Sequence, residues 1–231
     1  MTSLVTTARS VPLSARTGAT RTLDSSVESA EQRFVLWEVS WESYELIAKA
    51  LEGRHVRTTY EDGRLEFMST SGRHGILSRL LGRFVTVLTR EFGIPILSCG
   101  DMTCAKESAL RALEPDECFY LENEPLMRGK DEFDLAVDPA PDLAIEVELS
   151  PAQRDRMSVY AGLGVPEVWR YDGSKLTVNE LGADGVYVVK EASRYFPEIP
   201  MSELARFLEL RKQMDGNGVV DAFRDWVRSQ V

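Results

Sequence analysis

Carboxylates crowd one stretch of the 231-residue chain, Pro141-Asp142-Leu143-Ala144-Ile145-Glu146-Val147-Glu148-Leu149. A β-strand sends successive side chains to opposite faces. One face then carries Leu143, Ile145, Val147 and Leu149, and the other carries Asp142, Ala144, Glu146 and Glu148. Three like charges on one face repel, and burying them uncompensated is costly. Solvation of that face relieves the repulsion. So does a divalent cation, because carboxylate oxygens are the ligands Mg²⁺ and Mn²⁺ prefer. The strand alone leaves both readings open.

A second acid, Asp116, follows a proline at the start of an apolar run and precedes Glu146 by thirty residues, while Arg154 and Arg156 come just after the acidic strand. Acids from two neighbouring strands with a basic group beside them suit a metal-dependent phosphodiesterase. The carboxylates hold the cation, the cation activates water, and the basic group stabilises the phosphate charge.

The elements that must position these groups are legible in part. Residues 1–31 lack periodicity and read as a disordered tail. Ser40 caps a helix carrying Trp41, Tyr44, Ile47 and Leu51, and Gly53 stops it. His55–Tyr60 and Arg64–Met68 read as a hairpin around Glu61-Asp62-Gly63. A long helix spans about 73–92, with Ile76, Leu77, Leu80, Leu81, Phe84, Val85 and Leu88 inside and Gly93 closing it. Strands follow at 94–99, 118–121 and 143–149, then a helix over 153–163 and a meander through 168–189. Thr103–Leu113 fits a strand running into a loop. Two amphipathic helices, 202–214 and 219–231, end the chain, and their stripe with Trp226 and Val227 suits either a second copy in a homodimer or a cap on the sheet. The order predicts an α/β (α+β) fold, a mixed sheet flanked by helices.

Composition narrows the function. With 27 basic and 37 acidic residues the net charge is −10, which argues against nonspecific coating of nucleic acid but not against a local encounter with it. No apolar run reaches the length of a membrane span. Cys99, Cys104 and Cys118 lack paired spacing, and with two histidines they make no zinc motif, so they read as reduced thiols of a cytoplasmic protein.

Four blocks carry a family resemblance: Thr59–Ser69, Leu113–Tyr120, Pro141–Glu148 and Tyr160–Tyr171. In that order they resemble the Uma-type restriction endonucleases of the PD-(D/E)XK nuclease-like superfamily, over about residues 32–210. The resemblance implies a restriction-endonuclease-like core at 32–212 with a helical extension at 213–231, an Mg²⁺- or Mn²⁺-dependent activity, and DNA as substrate. It makes Asp116 and Glu146 the metal ligands and puts the motif's lysine at position 148, where this chain has Glu148. The family commonly moves that lysine to the next helix, four residues before its tyrosine, and here Arg156 stands four before Tyr160. Arginine stays protonated, so it can stabilise phosphate charge but cannot serve as a base. A catalytically weak or inactive nuclease-fold protein that binds nucleic acid or regulates is therefore the alternative, and hydrolysis of a small phosphate ester is a third reading.

Further candidates each carry an ordinary explanation. Glu66 is the early acid expected to complete the catalytic set, or it pairs across strands with an arginine such as Arg57; Glu61 is its rival in the turn. His74 contacts substrate or caps its helix, and Asp142 supports the acids or simply opens the strand. Arg79, Arg83 and Arg90 share one helix face, either tracking phosphates or simply solvated. Trp169 and Tyr171 read as core.

Overall fold

The computed structural model describes residues 32–54, 56–150 and 155–230. The predicted tail at 1–31, His55, and the expected helix start with Gln153 and Arg154 lie outside these described residues. Along the chain run β1 (Arg33–Leu36), α1 (Trp41–Leu51), β2 (Arg57–Glu61), β3 (Arg64–Met68) and α2 (Gly72–Phe92). Then come β4 (Leu97–Gly100), β5 (Cys104–Lys106), β6 (Arg111–Leu113), β7 (Glu117–Tyr120), α3 (Glu124–Met127) and β8 (Leu143–Val147). The chain closes with α4 (Met157–Leu163), β9 (Glu167–Tyr171), β10 (Leu176–Leu181), β11 (Tyr187–Lys190), α5 (Leu204–Leu210) and α6 (Gly216–Arg228).

Local chemistry explains the boundaries. The Ser40 side chain accepts from the Ser43 amide at the start of α1, and Ser71 accepts from His74 at the start of α2. The hairpin turns at Asp62 and Gly63, both with positive φ, which gives the twist two antiparallel strands need. Gly93 ends α2 in the left-handed region.

The expected mixed sheet is present, flanked by helices, with six strands in the order β11-β10-β9-β8-β7-β4; β8 and β9 are its parallel pair. A second, antiparallel sheet stands beside it, ordered β1-β3-β2-β6-β5. The segment 103–113, expected as a strand into a loop, folds back on itself as β5 and β6 and pairs with β2. Strands of three residues carry too little periodicity to be seen in sequence.

The two faces of β8 separate as the alternation predicts. Leu143, Ile145 and Val147 join the main core with Leu77, Phe84 and Leu88 of α2, while Ala144 faces a smaller core with Cys118, Tyr160 and Val168. Trp169 and Tyr171 are core residues. Ile76, expected inside, is exposed. The apolar stripe of α6 caps the core: Phe223 stacks on Phe84 at 4.2 Å, and Val219 and Val227 are buried with it. The cap on the sheet, one of the two uses read for that stripe, is thus present within the chain. No described helix is long and apolar enough to cross a membrane.

Candidate active site

The register of β7 and β8 brings the two principal acids together. Glu117 pairs with Ile145, so continuing the antiparallel ladder by one residue sets Asp116 across from Glu146 on the same face. Two hydrogen bonds hold this alignment: the Asp116 amide donates to the Ile145 carbonyl at 3.1 Å, and the Val147 amide donates to Asp116 Oδ2 at 2.7 Å. Both acids are buried, which removes the solvated-face reading for this end of the strand.

Burial requires compensation, and the surrounding elements supply it. His74, in the first turn of α2, sets Nε2 2.8 Å from Asp116 Oδ1, and Arg57 of β2 reaches the same oxygen with Nε at 3.4 Å. Burial raises the cost of the Asp116 charge, but His74, Arg57 and the Val147 amide outweigh it and hold the carboxyl below its usual range. Glu146 is paired with Arg156, the residue just before α4, and accepts the Tyr160 hydroxyl at 2.7 Å on its other oxygen. Burial pushes Glu146 up to about 7; Arg156 and Tyr160 pull against that shift, and Asp116 and Glu148 reinforce it. Two facing acids with proton affinities driven apart are a recurrent feature of catalytic sites.

Arg156 also donates to the Glu114 carbonyl at 2.9 Å, which ties α4 to the segment carrying Asp116. Glu148, at the expected lysine position, pairs with Arg170 of β9 at 2.7 Å. Its charge still reaches Glu146, but its side chain is held by the neighbouring strand.

Other candidates fall elsewhere. Glu66 lies in the five-stranded sheet, held by Arg33 at 2.7 Å and Arg64 at 2.5 Å, so it does not join Asp116 and Glu146. The cross-strand explanation holds for it, with Arg33 rather than Arg57 as the partner. Glu61 meets Arg111 at 3.4 Å. Asp142 accepts from the Leu121 and Asn123 amides and from the Asn123 side chain, closing the loop after β7. Arg79 is exposed and pairs with Glu117 at 3.1 Å, while Arg83 bonds Gly216 and Asn217 at the start of α6. His74 is buried: its amide donates to the Ser71 cap and its Nε2 meets Asp116, so it is not the surface histidine the bland reading allowed.

Sequence reading named Arg57 only as a possible partner of Glu66 and Tyr160 only as the marker for Arg156, and missed their contacts with Asp116 and Glu146. The Arg57 contact gave no signal, because it joins β2 to a residue nearly sixty positions on. Tyr160 stood in a family block, and its four-residue spacing from Arg156 was the available clue.

The donor set can be weighed against a divalent cation. Among the described residues no three His, Cys, Asp or Glu side chains form a group able to hold a metal ion. Two carboxylates are present, and Asp116 Oδ1 is buried without a well-aligned hydrogen bond. Magnesium commonly keeps several waters and takes only one or two carboxylates plus substrate phosphate oxygens. The pair fits such a cation and does not fit one caged wholly by protein.

The family model described as Uma2, putative restriction endonuclease, matches residues 41–211. A solved structure from Anabaena variabilis, described as a putative nuclease belonging to DUF820, aligns with a TM-score of 0.46 at 16% identity, covering 65% of this chain and 88% of that one. No curated protein matches.

Proposed function

The chain belongs to the Uma2 family of putative restriction endonucleases, and from that premise we propose that it is a cytoplasmic, Mg²⁺- or Mn²⁺-dependent endonuclease acting on DNA. The observation that carries the proposal is the buried Asp116–Glu146 pair, aligned across β7 and β8 with Arg57 against one acid and Arg156 against the other. Asp116 and Glu146 would hold the cation. When bound, the cation supplies Lewis acidity toward the scissile phosphate and makes water a better nucleophile.

The chain's own residues prepare that site. His74 and Arg57 keep Asp116 ionised, as a ligand must be. Arg156 stabilises negative charge beside Glu146 and takes no proton from water. Tyr160 orients the Glu146 carboxylate through its hydroxyl. Glu146, with its raised proton affinity, must release a proton to bind the cation, so metal affinity rises with pH up to about 7.

One observation favours the alternative of a nuclease fold kept for binding. Arg156 already occupies Glu146, and Glu148 is turned to Arg170, so no lysine stands at the acids. The two readings separate in one experiment: cleavage of plasmid and single-stranded DNA with Mn²⁺, beside calorimetric Mn²⁺ titration, for wild type and Glu146→Gln. Cleavage and metal binding that both vanish in the variant support the nuclease. Metal binding or DNA binding without cleavage by either protein supports the alternative, and equal cleavage by both removes Glu146 from the site.

A further inference from the structure

All three cysteines of the chain, far from one another in any local motif, meet in one place. Between β4 and β7, Ser98 pairs with Phe119 and Gly100 with Cys118, so Cys99 is the extra residue of a bulge opposite Cys118. Cys118 and Cys104 are fully buried in the smaller core, and Cys99 packs against that core while keeping some exposure. The Cys118 thiol neighbours the thiols of both Cys99 and Cys104. In a bulge two residues oppose one, which sets Cys99 beside Cys118 and within reach of a disulfide.

We propose that Cys99 and Cys118 form a peroxide-driven disulfide, with Cys99 the thiol that meets the oxidant. Accessibility sets the order, since Cys99 alone of the three is open to solvent. The neighbouring Cys118 side chain, working against partial burial, holds the Cys99 thiol below its usual range.

The chemistry balances with a hydroperoxide as oxidant. The Cys99 thiolate attacks one peroxide oxygen; an S–O bond forms, the O–O bond breaks, and the alkoxide leaves with a proton. Cys118 then attacks the sulfenic sulfur; the S–S bond forms, the S–O bond breaks, and water departs with the Cys118 proton. Two thiols are oxidised, one peroxide is reduced to alcohol and water, and an exchanging dithiol reverses the change. Cys118 lies two residues from Asp116 on the same strand face, so the bond would pin β7 next to the acid pair.

The test treats the full chain with hydrogen peroxide, then alkylates it under denaturing conditions and maps the peptides without reduction. The expected result is loss of two hydrogens, a Cys99–Cys118 cross-link, and one of the three thiols still alkylatable at Cys104. Cys104→Ala should retain the link. Cys99→Ser, a change at the partly exposed position, should lose it and keep both remaining thiols. Three free thiols after oxidation, a sulfinic acid on Cys99 without cross-link, or a Cys104–Cys118 bond in Cys99→Ser would each overturn the assignment.

Discussion

Two buried glutamates, one in each sheet, carry their charge in different company. Glu66 has two guanidinium groups on it, Arg33 from β1 and Arg64 from its own strand. Among the described residues Glu146 is paired with one, Arg156, and it shares its surroundings with Asp116 and Glu148. Glu66 is thus neutralised by its own sheet and faces no second acid in its ion pairs. Glu146 is left with burial and like charge only partly offset, which its raised proton affinity records. A buried acid alone does not mark a site; one facing another acid with incomplete compensation does.

The largest expected effect breaks the comparison through activity. Glu146→Gln should reduce Mn²⁺-dependent DNA cleavage to background, whereas Glu66→Gln, assayed below its melting temperature, should cleave at the wild-type rate. Equal losses would return Glu66 to the catalytic set.

Next comes Arg156→Met. It leaves Glu146 buried without the cation paired with it among the described residues and should cost about 3–5 kcal/mol at pH 8 in urea unfolding. At pH 6 the loss should be smaller, because Glu146 can take up a proton there. A pH-independent cost would mean that Arg156 acts through packing.

Glu146→Gln should also stabilise the metal-free protein at pH 8, by about 1–3 kcal/mol. A carboxyl whose folded pKa is raised contributes stability that is present below its unfolded value and lost as pH rises through the folded one, here about 7. The advantage of the variant should therefore shrink toward pH 5. Asp116, with a lowered pKa, has the opposite sign: its contribution is lost only as pH falls through its folded value. Identical wild-type and variant unfolding at pH 8 would show that Arg156 fully balances Glu146.

The smallest effect belongs to Glu66. Removing either arginine, as in Arg33→Met or Arg64→Met, leaves the other in place and should cost about 1–2 kcal/mol. A loss as large as that of Arg156→Met would erase the contrast between the two sheets.

Much of the frame was readable from residue order. Ser40, Ser71 and Gly93 mark helix ends because capping is chemistry within one turn, and Asp62-Gly63 marks the hairpin because so few residues accept positive φ. The short strands β5 and β6 were not readable, since three residues show no periodicity. At the site, Asp116, Glu146 and Arg156 were named from type and spacing, and they do converge. Glu66 was also named and does not converge, and Arg57, offered as one possible partner of Glu66, meets Asp116 instead.

By itself the sequence determined which side chains share a face. Leu143, Ile145 and Val147 oppose Ala144 and Glu146 because a pleated strand alternates, whatever surrounds it. Only the tertiary structure decided which acids meet and which cation each receives. Asp116 is joined to His74 and Arg57, and Glu146 to Arg156, by strand register and by helix placement. Those contacts span tens of residues, where no local preference acts and burial alone selects the partner.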